Sequence, residues 1–166
     1  MAANTFITFF DKVEGESTQK GKEKWFEVQN WDWEVSAETS WTKGGGASVG
    51  KPSPGVLHFE HQFDTASIVI LGYICTGKAF PKVELQVAKP SARGVPETYF
   101  TMTMEGVFIT KVSHIATADG HVVQQVSVVF KTVKIDYQTQ DARTGAMTAA
   151  KTFAWDIPAG TASPSA

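Results

Sequence analysis

Residues 64–77, which read DTASIVILGYICTG, contain the longest apolar stretch of the chain and predict its single helix. Asp64 is a residue type that favours the N-cap position, and Gly77 readily adopts the left-handed conformation that ends a helix. Between them, Thr65–Thr76 carries apolar residues nearly all round, so no side of this helix is suited to water. We therefore expect one side to pack on its own domain and another to be covered by a partner.

Strand patterns dominate on both sides of this helix. They cover Phe6–Phe10, Trp25–Val35, Gly55–Phe63, Val83–Ala88, Tyr99–Ile115, Val122–Tyr137 and Thr152–Ile157. The two longest segments exchange their apolar face midway, and the first does so at Gly106, as a bulge or sharp bend would cause. Long strands of this kind are typical of coiled sheets, sandwiches or barrels. The sequence thus predicts a mainly β protein with one α-helix over about residues 65–76.

The segment Trp25–Val35 alternates between two kinds of side chain. Trp31, Trp33 and Val35 fall at every second position, and successive strand residues point to opposite faces. The pattern predicts a half-buried strand with the tryptophans in the core. The opposite, polar face is formed by Asn30, Asp32 and Glu34.

A glycine- and proline-rich segment, Ser36–Pro54, follows and predicts a long loop. It contains Trp41, an indole outside any core strand, which suits an interface. Residues 45–51 fit the phosphate-binding pattern G-x-x-x-x-G-K. However, Pro52 stands where that motif needs Ser or Thr, and a strand follows where a helix N-terminus would hold the phosphate. We therefore interpret the segment as an interaction loop and not as a nucleotide site.

Length and charge narrow the class of protein. The 166 residues fit one domain over residues 1–158, with residues 159–166 as a small-residue, disordered tail. A net charge of −2 and a pI of about 6.1 lack the basic patch expected of a nucleic-acid-binding protein. No apolar stretch is long enough for membrane insertion. The N-terminus lacks the basic and apolar regions of a signal peptide, so we expect folding in the cytoplasm and any export without a cleaved signal.

The histidines do not predict a metal site. On a strand, His58 and His61 point to opposite faces and cannot share an ion. His114 and His121 flank a turn and could lie across a hairpin from each other, but no placed carboxylate or thiolate accompanies them.

Catalytic patterns are not apparent either. The single cysteine, Cys75, lies in an apolar stretch that predicts burial and not reactivity. No nucleophile stands beside a base in a known motif. We therefore expect no catalytic residues, no cofactor, no metal and no enzymatic activity. Two other classes stay open: a monomeric ligand-binding β-barrel, and a hydrolase whose residues converge only in three dimensions.

Taken in order, these segments resemble Hcp, the haemolysin-coregulated tube protein family of type VI secretion systems. The matching features are the opening strand at residues 4–8, the Trp-Asp-Trp of residues 31–33 before a glycine-rich loop, HFEHQFD of residues 58–64 running into the helix, Gly77 before the strand around residue 84, FKTVKIDY of residues 130–137 and FAWD of residues 153–156. The resemblance covers about residues 4–157, although the loop of residues 41–54 matches only in its length and glycine content.

The resemblance implies a barrel of two packed, antiparallel-rich sheets with one flanking helix. It also implies that six copies close into a ring and that rings stack into a tube inside a contractile sheath. Contraction would expel the tube and its spike, with effector proteins carried in the lumen. The partners are thus further copies of the chain, the sheath and spike proteins, and the effectors.

Two groups of residues acquire expected roles from this resemblance. The polar face of Asn30, Asp32 and Glu34 would line the lumen. The long loop would reach the next ring of the stack. Its candidate stacking residues are Trp41, Lys43, Gly44, Gly45, Gly46 and Lys51.

Overall fold

The computed structural model describes residues 4–10, 13–41, 46–91 and 94–164. Within these ranges the chain forms eleven strands and one helix. In chain order they are β1 (Thr5–Phe9), β2 (Phe26–Asp32), β3 (Val35–Trp41), β4 (Ala47–Pro54), β5 (Leu57–Gln62), α1 (Thr65–Thr76), β6 (Ala79–Lys89), β7 (Glu97–Ala116), β8 (Val122–Val129), β9 (Thr132–Tyr137), β10 (Lys151–Asp156) and β11 (Thr161–Pro164).

Six strands close into an antiparallel barrel in the order β7-β6-β1-β2-β5-β8. The long strand β7 closes it, because its first half pairs with β6 and its second half with β8. The first half also pairs with β9 on its other side, and β10 and β11 extend the sheet from there. Strands β3 and β4 form a separate two-stranded sheet. The predicted fold class, a mainly β barrel with one flanking helix, is confirmed.

The bend predicted at Gly106 is present. Gly106 has a φ of 61°, a left-handed conformation that glycine adopts without strain. The register places it opposite Pro81, between the pairs Phe80–Val107 and Lys82–Glu105. The buried face of β7 accordingly changes from Met104 to Val107, three positions later instead of two. This bend allows one strand to serve both the barrel and the extended sheet.

Aromatic side chains fill the barrel. The ring of Phe9 lies 4.6 Å from that of Phe80 and 5.4 Å from that of Phe26, measured between centroids. All three side chains are almost fully buried. They join aliphatic residues and methionines of all six barrel strands in one core cluster.

The helix α1 has the predicted ends. Asp64 Oδ1 accepts a hydrogen bond from the Ser67 backbone N–H at 3.1 Å, and Ser67 Oγ accepts one from the Asp64 N–H at 3.0 Å. This reciprocal capping satisfies two otherwise free donors of the first turn. At the other end Gly77 has a φ of 67° and closes the helix. The predicted two-sided character also holds, because Ile70 is buried whereas Ile68 is 66% exposed.

The burial expected for Cys75 is wrong, because its side chain is exposed. Residues four and three positions apart share one side of a helix, so Cys75 lies on the side of Ile68 and Gly72. That side faces away from the barrel. The apolar neighbours in sequence therefore did not indicate burial.

Two segments predicted to lack regular structure form strands. Most of Ser36–Pro54 belongs to the β3–β4 hairpin, and the tail of residues 159–166 contains β11, which pairs with β10 from Phe153–Pro164 to Asp156–Thr161. Both segments are rich in small and polar residues, and backbone pairing at a sheet edge does not require apolar side chains. The described part of the chain has no helix long and apolar enough to cross a membrane.

Candidate functional site

A continuous polar surface covers the outside of the barrel where β2, β5, β8 and β7 lie side by side. The pairing registers align one row of residues, Asp32, His58, Ser127 and Lys111, across the four strands. They align a second row, Asn30, Glu60, Gln125 and Ser113, directly beside the first. We call these eight residues the polar face.

Hydrogen bonds between neighbouring strands organise the polar face. His58 Nδ1 lies 2.7 Å from Ser127 Oγ, and Gln125 Nε2 donates to Glu60 Oε2 at 2.9 Å. The two rows line an open depression of about 260 Å³ on this surface. Cationic and anionic groups lie side by side here, so the face suits hydrated, polar partners.

The predicted alternation of β2 produces this face. Trp31 packs its ring 5.5 Å from that of Phe100, and Trp33 packs 5.7 Å from Phe130, so both tryptophans contact the core. The predicted polar residues are all exposed; they are Asn30, Asp32 and Glu34. Val35, expected in the core, is 45% exposed because the chain leaves the barrel after β2 and begins the hairpin.

The base of the β3–β4 hairpin is tied to the barrel around Gly55. Its backbone N–H donates to the Glu34 carbonyl at 2.8 Å, and its own carbonyl accepts a bond from Trp33 Nε1 at 3.3 Å. A Cβ atom at position 55 would lie 2.8 Å from the Glu34 carbonyl oxygen. This close approach explains the glycine, and it fixes the direction in which the hairpin leaves the barrel.

Beyond this base the hairpin is solvated on both faces. Its register runs from Val35–Pro54 to Trp41–Ala47, with an irregularity between Ala37 and Thr39. Every residue from 35 to 53 whose burial is described is exposed, and Val49 reaches 71%. The hairpin therefore has no core of its own.

Three of the candidate stacking residues lie in the strands of this hairpin or directly beside them. Trp41 ends β3, and Lys51 lies exposed in β4. Gly46, at the start of β4, has a φ of 73°. Lys43, Gly44 and Gly45 lie outside the described residues. The phosphate-binding pattern of residues 45–51 runs into strand β4, not a helix.

The predicted arrangement of the histidines is confirmed on β5, but it is wrong for the β7–β8 hairpin. His58 belongs to the outer, polar face, whereas His61 is buried inside. His114 pairs across the hairpin with Gln124, so His121 does not lie opposite it. Instead, the His121 carbonyl accepts a bond from the Thr117 N–H at 2.8 Å and closes the turn.

Comparison with known proteins identifies the family of this chain. A sequence profile described as "Type VI secretion system effector, Hcp" matches residues 6–137. The chain belongs to the Hcp family. Among solved structures, Hcp1 from Salmonella typhimurium is similar with a TM-score of 0.76 at 28% identity, over 98% of this chain and 100% of that one. No protein of curated function matches the chain.

Two further structures share the Hcp fold. One is described as a type six secretion system protein, with a TM-score of 0.87 at 23% identity over 98% of this chain and 100% of that one. The other is a type VI secretion system effector from Yersinia pestis, with a TM-score of 0.74 at 24% identity over 92% of this chain and 99% of that one. The resemblance found in the sequence is therefore confirmed at the level of family and fold.

Sequence reasoning missed three quarters of the polar face. It identified Asn30 and Asp32 from the tryptophan alternation of one strand. The partners on β5, β8 and β7 became visible only with the register, because pairing across strands leaves no local signal in the chain. His58 and Glu60 were visible as polar residues alternating with Leu57 and Phe59, and this pattern alone could have indicated their orientation.

Proposed function

We propose that this Hcp-family chain is the structural subunit of a type VI secretion tube, without catalytic activity or cofactor. Six copies close into a ring, and the rings stack end to end. The contracting sheath expels this tube together with its spike, and effector proteins travel in the lumen. The chain is thus secreted without a cleaved signal peptide.

The observation that carries this proposal is the solvated β3–β4 hairpin in a member of the Hcp family. A lone two-stranded sheet is at best marginally stable in water. Fixing each backbone residue opposes folding by about 1–2 kcal/mol, and this hairpin buries almost nothing in return. A neighbouring subunit that covers it would offset that loss. We assign its candidate stacking residues to contacts between rings; they are Trp41, Lys43, Gly44, Gly45, Gly46 and Lys51.

The exposed side of α1 supports self-association. Ile68 and Val69 are exposed on a helix that has no charged residue. Closing a ring requires two different surfaces of the same chain to meet. We assign the exposed side of α1 to one of these two surfaces.

The polar face supports the assignment of a lumen. A channel that passes folded cargo must stay hydrated, and an outer barrel wall of paired polar side chains satisfies this. We therefore assign Asn30, Asp32 and Glu34 to the lumen wall. The alternative, a ligand-binding barrel, would hold its ligand inside, but phenylalanines and methionines occupy the interior.

Light scattering of the purified protein tests the ring. Six copies of 18.0 kDa give 6 × 18.0, about 108 kDa. Ile68→Lys should convert this species to a monomer, whereas Ala118→Lys, which introduces the same charge in the exposed β7–β8 turn, should not. An 18.0 kDa species at micromolar concentration for the unmodified protein would refute the hexamer.

A further inference from the structure

Three polar side chains, two of them buried and one exposed, meet beneath the first turn of α1. They are His61 on β5, Gln124 on β8 and His114 on β7. Gln124 Oε1 lies 2.7 Å from His61 Nε2, and Gln124 Nε2 lies 3.1 Å from His114 Nε2. Gln124 Nε2 also donates to the Ser67 backbone carbonyl at 3.2 Å. We call these three side chains and that carbonyl the amide latch.

The Ser67 carbonyl determines the direction of every hydrogen bond in the amide latch. A carbonyl can only accept, so the amide nitrogen of Gln124 must face it and the amide oxygen must face His61. His61 therefore carries its proton on Nε2. The second N–H of Gln124 points at His114 Nε2, which must be an unprotonated acceptor. The three bonds require a proton on His61 Nε2 and none on His114 Nε2, a pattern that two neutral imidazoles satisfy.

The amide latch joins the helix to three barrel strands. Ser67 is the third residue of α1 and also forms the reciprocal cap with Asp64. The Gln124 bond thus ties the capped turn to β8, and through the two histidines to β5 and β7. Thr65 also anchors this turn, since its N–H donates to Glu16 Oε1 at 3.2 Å and its hydroxyl donates to the Glu14 carbonyl at 3.4 Å. Further along the helix, Tyr73 stacks on Phe80 at 4.0 Å.

His61 has no place for a second proton. Its ring is 1% exposed and lies between Phe26, stacked at 5.5 Å, and Phe59 at 5.9 Å. Its Nδ1 is buried and has no hydrogen-bond partner among the described residues. A proton there would create a buried cation between two aromatic rings.

His114 constrains the amide latch in a different way. It is exposed to solvent, and the ring of Phe63 meets it edge-on at 5.5 Å. A proton on its Nε2 would set a donor against the Gln124 N–H and remove that hydrogen bond. Rotating the Gln124 amide would not repair this, because the amide oxygen would then meet the Ser67 carbonyl.

We propose that the amide latch is an acid-sensitive device: it holds the first turn of α1 on the barrel while His61 and His114 are neutral, and it releases that turn when either takes up a proton. The proposal concerns the single subunit and does not depend on ring formation.

The charges around the latch define the pH range. Burial lowers the pKa of His61, and the hydrogen bond to Gln124, the charge of Asp64 and the backbone of Gln62 oppose this only in part. Asp64, at the helix N-cap, and His114, on β7, are the titratable groups that act on His61, and Glu16 lies beyond Asp64. The adjacent strand β8 and the helix itself bring no charged residue.

The sign of the pH effect follows from this lowered pKa. Unfolded imidazoles titrate near pH 6.5, so below that pH the unfolded chain binds a proton at position 61 that the folded chain does not. Stability is complete above pH 6.5 and falls as the pH decreases below it. For one proton, the unfolding equilibrium constant rises by up to about tenfold per pH unit. Burial raises the pKa of Asp64, which acts in the opposite direction at lower pH, so measurements should stop near pH 5.5.

Nitrogen NMR of the unmodified full-length protein tests the protonation pattern. At pH 7.5 we expect His61 with its proton on Nε2 and His114 with its proton on Nδ1. Between pH 7.5 and 5.5, exchange of the Ile70 and Leu71 amides, corrected for the intrinsic pH dependence, should accelerate relative to amides of β6. The proposal would be overturned if either imidazole were in the other tautomer. It would also be overturned if the corrected exchange rates of the helix amides changed no more than those of β6.

Glutamine variants test the cause by urea unfolding at pH 7.5, 6.5 and 5.5. Glutamine supplies the donor or the acceptor of each neutral imidazole but takes up no proton, so His61→Gln with His114→Gln should lose most of the pH dependence. His58→Gln is the matched control, because His58 lies on the same strand and also contacts β8, but on the outer face. It should keep the unmodified slope. The proposal fails if the double variant keeps the unmodified dependence of unfolding free energy on pH, or if His58→Gln abolishes it. If the double variant does not fold, His114→Gln alone and the NMR measurement decide.

Discussion

The six-stranded barrel and the β3–β4 hairpin are both antiparallel sheets, but they bury their side chains to very different extents. The barrel has no open edge and packs its aromatic residues against one another inside the subunit. The hairpin buries almost none of its residues within the subunit. The difference shows that the fold of the chain depends on the barrel, whereas the hairpin adds almost no buried surface to it. The contacts proposed for the hairpin would lie in other copies of the chain.

The largest expected difference between the two regions is in stability. Phe80→Ala removes a fully buried ring that stacks on Tyr73 and contacts Phe9. We expect it to lower the free energy of unfolding by about 3–5 kcal/mol, through lost burial and the cavity left behind. Val49→Ala, in the hairpin, should change it by less than about 0.5 kcal/mol. Urea unfolding of both variants measures this, and equal losses would show that the hairpin has a core after all.

The next effect is at the junction of the two regions. Gly55→Ala places a Cβ 2.8 Å from the Glu34 carbonyl oxygen, which the Gly55 N–H also uses as its acceptor. We expect a loss of about 1–3 kcal/mol in unfolding free energy, because backbone must move to make room. Gly72→Ala is the control: a Cβ there meets open space, and alanine in a helix should stabilise by about 0.5–1 kcal/mol. Two variants that are both neutral would mean that the junction is not rigid.

The barrel was largely predictable because its signals are local. The helix follows from one apolar run between Asp64 and Gly77, and the core strands follow from the alternation of large apolar residues. The bend at Gly106 appeared as a change in that alternation. Closure of β7 on β8 is different, since it depends on pairing between segments and has no counterpart within either one.

The hairpin and β11 were missed for the opposite reason. Both lack alternating apolar residues, and their glycines and prolines are typical of loops. Strand formation there depends on backbone pairing alone, which composition does not report. The amide latch could be predicted only in part. His61 was expected to face away from His58, but no pattern in the sequence indicated that the Gln124 side chain would be buried beside His61.

A third prediction concerns a variant that lacks the outer part of the hairpin. Replacing Thr39–Lys51 with a short Gly-Ser linker should change the stability of the subunit by less than about 1 kcal/mol, because changing loop length has a small entropic effect. Hexamers should persist, while end-to-end stacking and secretion should stop, since the segment assigned to ring contacts is gone. Negative-stain imaging and an assay of the medium measure both. Tubes and secretion at the unmodified level would make the hairpin a solvated connector.

The smallest effect on stability is expected on the polar face of the barrel, where Asp32→Arg reverses an exposed charge. A solvated position tolerates this within about 0.5 kcal/mol, so both fold and ring should persist. The effector proteins retained by the ring should nevertheless change, because six reversed charges would then line the lumen. Glu27→Arg is the control: it makes the same reversal on the same strand, at an exposed position that does not line the depression. Co-purification of effectors with each variant measures the difference. A ring that dissociates only with Asp32→Arg would place this residue between subunits, and the polar face would then belong to the interface instead of the channel.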